Sequence, residues 1–260
     1  MGKLFERKNK DAHSHRVLQL ITDKSMPFGY VEAYKSLRTN LDFMSGSMDV
    51  HTLVVTSTVP EESKSNVSTN LAMTLAESGK KVALVDCDLR KPVLHRYLQS
   101  GHNVNGVSNV LSNQCTLQEA LKELKNYNIS FLPAGTPPPN PSEMLSQPQM
   151  QAMVDALRAE FDFVIFDAPP VSVVTDAAII GRYVDGALFV VRSNYAPTEA
   201  VRGAIRKLQD AGVKVLGSVL TRYDMKRSLK HSNYAYSYAY NYSYSYGTPP
   251  EMENNDNHKK

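Results

Sequence analysis

A polar loop between a hydrophobic run and a helical segment holds the residues best suited to phosphate chemistry. The loop ends in Lys64 and Ser65, directly before a stretch with helical periodicity. A P-loop has this order, because backbone N–H groups and a helix N-terminus surround phosphate oxygens while the lysine adds a positive charge. The P-loop pattern also requires glycine immediately before the lysine, where this chain has Ser63. The loop by itself therefore fits either a phosphate site without its glycine or an ordinary strand-to-helix connection.

Aspartates follow two further hydrophobic runs in the chain. One run is followed by Asp86 and Asp88, which Cys87 separates, and the other by Asp167 in an Asp-x-Pro sequence. A carboxylate at the end of a strand is the usual second half of a P-loop site, because it holds Mg²⁺ or the water around the ion. The three strand ends together favour a phosphate and metal site over aspartates that only cap their strands.

The sequence around these residues alternates short β-branched runs with helical stretches. The runs are nearly continuous in hydrophobic residues, as in strands that are covered on both faces. Such alternation predicts an α/β fold with a doubly wound, mostly parallel sheet, whose ligands bind beyond the carboxyl ends of the strands. The predicted strands are 53–56, 82–85, 129–132, 163–166, 187–191 and 213–216, and the main predicted helices are 64–78, 148–160 and 198–211. The proline-rich segment 135–141 predicts a rigid surface loop.

The two ends of the chain do not follow this alternation. Residues 1–28 are polar and basic at first and predict a flexible arm, and an amphipathic oligomerisation helix is expected over 29–43. The core domain, which includes this helix, is expected over 29–224. Residues 225–260 have no hydrophobic periodicity and predict a disordered tail.

Tyrosine at every second position is the most specific feature of this tail. Seven of the chain's 14 tyrosines lie there: Tyr234, Tyr236, Tyr238, Tyr240, Tyr242, Tyr244 and Tyr246. The spacing fits an edge strand with a tyrosine face, a self-associating segment, or a cluster of phosphoacceptor tyrosines. The alanine, serine and asparagine residues between the tyrosines favour disorder over a strand. A phosphate-binding core before the tail favours phosphoacceptors.

Length, composition and charge exclude several classes of protein. The chain has 260 residues, of which 42% are hydrophobic and 21% charged, as is typical of a soluble globular protein. A formal net charge of +3 is too small to indicate nucleic acid as a partner. Two cysteines cannot form a disulfide framework, and no run approaches the roughly 18 to 20 apolar residues of a membrane span. The sequence therefore predicts a cytoplasmic protein that reaches a membrane only through a partner.

Over most of the core domain and in the tail, the chain resembles the bacterial tyrosine autokinases of capsule and exopolysaccharide operons. Residues 86–90 (Asp-Cys-Asp-Leu-Arg) look like the family's second Walker motif, and residues 163–170 look like its Walker B motif. Residues 32–38 are similar to its ring-forming motif Glu-x-x-Arg-x-x-Arg, with Lys35 in place of the first arginine. The resemblance implies a P-loop NTPase of the MinD/ParA-like type that acts as an ATP-dependent protein-tyrosine kinase with Mg²⁺.

The resemblance also implies roles for individual residues. Asp86 would orient or deprotonate the tyrosine hydroxyl, Asp88 would support the metal, and Asp167 would hold Mg²⁺ through water. The residues implied for catalysis are Lys64, Asp86, Asp88 and Asp167. Those implied for ATP binding are Glu62, Ser63, Lys64, Ser65 and Arg90, and those implied for Mg²⁺ are Ser65, Asp88 and Asp167.

Assembly and partners are implied by the same resemblance. Glu32, Lys35 and Arg38 lie at i, i+3 and i+6 of the N-terminal helix and would join subunits into a ring, although the spacing also fits a solvated charged face. The implied partner is a membrane-bound polysaccharide co-polymerase whose cytoplasmic tail activates the kinase at the inner face of the membrane. A tyrosine phosphatase would be the counterpart. This is the two-chain arrangement of Gram-positive bacteria.

The chain departs from the family at three positions near the nucleotide. The family's loop reads Pro-Gly-Glu-Gly-Lys-Ser, and Glu61 and Ser63 replace its two glycines here. Thr221 stands where the family usually has an asparagine near the adenine. Because of these changes, the alternative function is that of a catalytically weak or inactive P-loop adaptor in the same polysaccharide machinery. A partitioning ATPase on the same fold is disfavoured, because such a switch has no use for clustered tyrosines.

Overall fold

A seven-stranded sheet lies at the centre of the part of the chain that the computed structural model describes, residues 18–101 and 105–223. The strands are β1 (Thr52–Ser57), β2 (Val82–Asp86), β3 (Lys122–Leu124), β4 (Ile129–Leu132), β5 (Phe163–Asp167), β6 (Gly186–Arg192) and β7 (Val215–Thr221). Their order is β3-β4-β2-β5-β1-β6-β7, and each neighbouring pair is parallel except β3 with β4. The doubly wound, mostly parallel α/β fold is thereby confirmed. The tyrosine tail and residues 1–17 of the predicted arm lie outside the described residues.

Four long and five short helices accompany the sheet in the described residues. The long ones are α1 (Phe28–Met48), α2 (Lys64–Glu77), α7 (Pro148–Glu160) and α9 (Thr198–Asp210). The short ones are α3 (Leu94–Tyr97), α4 (Val107–Leu111), α5 (Leu117–Ala120), α6 (Pro141–Leu145) and α8 (Asp176–Gly181). The sequence does not predict the short helices or β3, because elements of this length carry no clear periodicity. Pro141 begins α6 instead of ending the predicted loop, since proline fits the first turn of a helix.

Two hydrophobic cores lie on opposite faces of the sheet. On β1, Leu53 and Val55 pack in one core with Leu71 of α2. Val54, between them, packs in the other core with Leu157 of α7. Successive side chains of a strand point to opposite faces, so a strand covered on both faces has no side-chain position that faces water. This explains why the strand sequences are continuous hydrophobic runs.

The segment before α1 is attached to α2. The Ile21 side chain is buried, and its backbone N–H donates to Oδ1 of Asn70 at 2.9 Å. The backbone N–H of Gln19 donates to Oδ1 of Asn66 at 3.0 Å. Both asparagines stand on α2 and act as side-chain partners for an otherwise unpaired backbone. The expectation of a flexible arm therefore does not hold for residues 18–21.

The strand order brings the predicted site residues together. β5 lies between β1 and β2, so the loops that follow these three strands meet at one edge of the sheet. In the register of the sheet, Asp167 is the partner of Val55 on one side and of Asp86 on the other. The sequence positions around Lys64, Asp86 and Asp167 are thus neighbours in space.

Candidate active site

The loop between β1 and α2 has a backbone shape that usually requires glycine. Glu61 has a φ of 72° and Ser63 has a φ of 73°. This left-handed region costs a residue with a Cβ atom roughly 1–2 kcal/mol. These are the two positions at which the sequence resemblance leads us to expect glycine. Glu61 and Ser63 therefore hold a conformation that strains a residue with a Cβ atom and that glycine would adopt at little cost.

Hydrogen bonds hold this loop against the carboxyl ends of β6 and β7. The Glu62 carboxylate is fully buried and accepts the backbone N–H groups of Val59 at 2.8 Å and Arg192 at 3.2 Å. The Thr221 hydroxyl donates to the Glu62 carbonyl at 2.9 Å, and the Arg192 guanidinium donates to the Glu61 carbonyl at 3.3 Å. The predicted contact of Glu62 with ATP is thus left to its backbone N–H, because its carboxylate is engaged within the protein.

Lys64 begins α2, and its ammonium group lies among the aspartates. Its Nζ is 3.3 Å from Oδ2 of Asp88 and 3.5 Å from Oδ2 of Asp167. Burial disfavours the charged ammonium, but attraction by Asp167, Asp88 and Asp86 outweighs burial and raises the pKa of Lys64. Ser63 is the residue that precedes this first helical turn. Lys64 is therefore a fixed positive charge at a helix N-terminus, as phosphate binding requires.

Ser65 and Asp167 bring together the oxygen atoms that magnesium prefers. The Ser65 hydroxyl donates to Oδ2 of Asp167 at 2.6 Å, and the Ser68 hydroxyl donates to Oδ1 at 3.0 Å. Burial raises the pKa of Asp167, although Lys64 and the Ser65 hydroxyl oppose this effect. Mg²⁺ is typically bound through a hydroxyl and one or two carboxylates, with water and phosphate oxygens as further ligands. The donor set of Ser65, Asp88 and Asp167 therefore fits Mg²⁺.

Asp86 is the carboxyl group of the site that is best suited to exchange a proton. It is fully buried at the end of β2. Its carboxylate accepts the backbone N–H groups of Asp88 at 3.2 Å and Leu94 at 3.3 Å. Burial, and after it the repulsion by Asp167, raises the pKa of Asp86 to about 8. A carboxyl group with a pKa in this range can take up and release a proton near neutral pH.

Arg90 pairs with a buried carboxylate that the sequence does not single out. Its Nε donates to Oδ2 of Asp176 at 2.9 Å, and a terminal nitrogen donates to Oδ1 at 3.1 Å. The same terminal nitrogen lies 2.7 Å from the hydroxyl of Ser142, which itself donates to Asp176 at 2.7 Å. Arg90 thereby joins the loop after β2 to α6 and α8. Its guanidinium has a structural partner here, and the predicted contact with ATP stays a prediction.

The charged residues of the predicted ring motif have partners within the chain. Nζ of Lys35 lies 2.7 Å from Oε1 of Glu32, and the Arg38 guanidinium donates to the Thr74 carbonyl at 3.0 Å. Thr74 is in the last turn of α2, where carbonyl groups lack a helical partner and a positive charge is favourable. Arg38 thus caps the end of α2. A role of the three residues between subunits stays a prediction.

The sequence gives no local signal for the contacts of Arg192 and Thr221 with the loop. Arg192 reaches the loop because β6 lies next to β1, and Thr221 reaches it because β7 lies next to β6. The two residues are 130 and 159 positions from Glu62 in the chain. The resemblance points to the adenine for position 221, whereas the structure places the Thr221 hydroxyl on the phosphate loop.

Known proteins are similar to this chain in sequence or in fold. The AAA domain family matches residues 62–210. The tyrosine-protein kinase YwqD of Bacillus subtilis is 35% identical over 233 residues, which cover 88% of this chain and 94% of YwqD. The kinase domain of the Escherichia coli tyrosine kinase ETK is 32% identical, with a TM-score of 0.70 over 75% of this chain and 77% of that one. A Mg-ADP complex of the septum site-determining protein MinD from Pyrococcus horikoshii is 23% identical, with a TM-score of 0.58, and shows a likeness of fold.

The similarities to the two kinases cover 88% and 75% of the chain. The MinD/ParA-like P-loop fold that the sequence predicts is confirmed. Within residues 18–101 and 105–223, no helix is long and apolar enough to cross a membrane. From the kinase relatives and the fold together, we conclude that the chain belongs to the family of bacterial tyrosine-protein kinases.

Proposed function

We propose that this tyrosine-protein kinase transfers the γ-phosphoryl group of ATP to its own C-terminal tyrosines, between subunits, and thereby regulates capsular or extracellular polysaccharide synthesis. One observation supports the proposal above all. Lys64, Ser65, Asp86, Asp88 and Asp167 meet at a single edge of the sheet, with a helix N-terminus among them. A cation, a hydroxyl and several carboxylates in this arrangement are what phosphoryl transfer needs.

Each of these residues has its own role in the reaction. Bound Mg-ATP supplies the phosphoryl group and the neutralisation of its charge, and Ser65, Asp88 and Asp167 are the groups suited to hold the ion. Lys64 places a positive charge beside the phosphates. The hydroxyl group of free tyrosine has a pKa of about 10, so it keeps its proton at neutral pH. The ionised form of Asp86 accepts that proton.

Two variants of the chain test whether phosphorylation occurs between subunits. One variant lacks residues 234–246 and keeps the catalytic groups, and the other carries Lys64→Met and keeps the tyrosines. Neither variant should become phosphorylated alone, whereas their mixture should carry phosphotyrosine on the Lys64→Met chain. Lys80→Met is the matched control, because Lys80 is exposed beyond the end of α2 and should leave phosphorylation unchanged. Mass spectrometry identifies the modified chain and residues.

Three results would contradict parts of this proposal. Phosphate on the parent chain but not on the mixture would show that transfer occurs within one subunit. Phosphate on Tyr97, Tyr127 or Tyr183 with an unmodified tail would contradict the phosphoacceptor role of the tyrosine cluster. An absence of phosphotyrosine, even with the cytoplasmic tail of the membrane partner present, would favour the inactive adaptor.

The same proposal includes assembly and partners. We expect a homo-oligomeric ring that involves Glu32, Lys35 and Arg38. A polysaccharide co-polymerase would recruit this ring to the inner face of the cell membrane, and a tyrosine phosphatase would reverse the phosphorylation. Light scattering of the Glu32→Ala variant tests the ring. This residue is preferable to Arg38, whose replacement also removes the cap of α2. An unchanged oligomer would assign these residues to an ordinary charged surface.

A further inference from the structure

The carbonyl groups of the strained loop are fixed on the side of β6 and β7. The Glu61 carbonyl accepts from the Arg192 guanidinium, and the Glu62 carbonyl accepts from the Thr221 hydroxyl. In a trans peptide unit, the C=O of one residue and the N–H of the next point in opposite directions. The N–H groups of Glu62 and Ser63 therefore face away from β6 and β7. Successive N–H groups that face the same side form a concave site for an anion.

The Glu62 carboxylate closes the loop on itself and on β6. It accepts one N–H from Val59, at the start of the loop, and another from Arg192, at the end of β6. The side chain is fully buried, so water does not replace these bonds cheaply when they are lost. The residues on either side of it, Glu61 and Ser63, are the two residues of this loop that have positive φ. A loop with two such residues would relax to negative φ unless its surroundings prevented it.

We propose that Glu62 is a positioning residue of this glycine-free loop: it holds residues 61 and 63 in the left-handed conformation before the nucleotide binds. Arg192 and Thr221 assist by fixing the adjacent carbonyls. The inference rests on the proposed function, because the shape that Glu62 maintains is useful only if this loop binds the phosphates of ATP. The Glu62 carboxylate acts through the backbone and does not itself contact the phosphates.

The test replaces Glu62 in two backgrounds and measures Mg-ATP affinity by calorimetry on the full chain. Glu62→Gln keeps the shape of the side chain but turns one acceptor into an NH₂ group, which cannot accept an N–H. In the parent, the loop should then relax, and we expect binding to weaken roughly tenfold, the loss for one buried hydrogen bond. In a chain that carries Glu61→Gly and Ser63→Gly, the left-handed conformation costs little, and the same replacement should weaken binding by no more than about twofold.

Controls separate this inference from a general loss of folding and from failure of the proposed function. Glu123→Gln, on the exposed edge strand β3, should change affinity in neither background. An equal loss of affinity from Glu62→Gln in both backgrounds would overturn the inference. A parent chain that binds no Mg-ATP would contradict the proposed function, and hydrogen–deuterium exchange of residues 59–64 then decides about Glu62. The amide exchange rate of these residues should increase when Glu62→Gln is introduced into the parent and stay unchanged when it is introduced into the glycine background. An increase in both backgrounds, or in neither, would overturn the inference.

Discussion

Replacement of Ser63 by glycine should stabilise the protein without a change in its affinity for nucleotide. Ser63 precedes α2 with a φ of 73°. The hydrogen bonds that hold the loop on β6 and β7 are made within the protein, so we expect the same backbone conformation before and after the nucleotide binds. The strain is therefore present both before and after binding, so it cancels in the binding equilibrium. It does not cancel in folding, because the unfolded chain is free of it. Ser63→Gly should thus act on the free energy of unfolding alone.

The expected gain follows from two opposing contributions. The left-handed conformation costs serine roughly 1–2 kcal/mol, which glycine avoids. Glycine gains extra freedom in the unfolded chain, which costs the folded state roughly 0.5–1 kcal/mol. The difference is a stabilisation of about 0.5–1 kcal/mol. For a chain of this size, such a gain raises Tm by about 1–4 °C.

The other end of α2 supplies a matched control. Ser78 follows the helix with a φ of −85°, and its hydroxyl donates to the Leu75 carbonyl at 2.7 Å. Glycine at this position relieves no strain, adds the same freedom to the unfolded chain and removes one hydrogen bond. Ser78→Gly should therefore destabilise the protein by about 1–2 kcal/mol. The same change of residue at the two ends of one helix should have opposite signs.

Urea unfolding of both variants, together with calorimetric titration of Mg-ATP, makes the comparison. A loss of stability for Ser63→Gly similar to that for Ser78→Gly would refute the assignment of strain to position 63. A tighter binding of Mg-ATP by Ser63→Gly, with unchanged stability, would show that the left-handed conformation arises only when the nucleotide binds.

Three further predictions concern charge. Glu61→Gln should tighten Mg-ATP binding by at most about thirtyfold. The reason is that a carboxylate about 7 Å from a phosphate charge repels it by about 2 kcal/mol at an effective dielectric constant of ~20. Calorimetry at low and high salt should show that the gain in affinity decreases as salt screens this repulsion. Arg38→Ala should lower the free energy of urea unfolding by about 1 kcal/mol, because the Thr74 carbonyl loses its partner; an unchanged value would contradict the capping role. Burial would raise the pKa of Asp185, but hydrogen bonds from the His51 and Thr52 backbones and from Arg158 outweigh burial and lower it. Its contribution to stability is therefore complete above about pH 4 and is lost as pH falls through the lowered pKa. Asp185→Asn should destabilise the protein at pH 7 and remove part of this loss on acid unfolding; parallel acid profiles of the two proteins would contradict the prediction.

Most of the fold could be predicted from the sequence, because strands and long helices have local sequence signals. A strand that is covered on both faces needs a continuous hydrophobic run, and β1, β2 and β5 each show one. Helices of three turns or more carry a periodicity that short helices cannot, so α2, α7 and α9 were predictable, whereas α3 to α6 and α8 were not. Lys64 at the start of the helix that follows β1, and the aspartates at or just after the ends of β2 and β5, were also enough to predict which residues lie together at this edge of the sheet.

Tertiary structure alone decided which partners those residues have. Glu62 and Arg90 were predicted as nucleotide contacts from their place in the motifs, yet their side chains pair with the β6 backbone and with Asp176. The N-terminal segment was expected to be a flexible arm, yet Gln19 and Ile21 bind asparagines of α2. In each case the partner lies more than 40 positions away in the chain. Strand order and helix packing decide such contacts, because a hydrogen bond depends on distance in space, and no local pattern of residues encodes that distance.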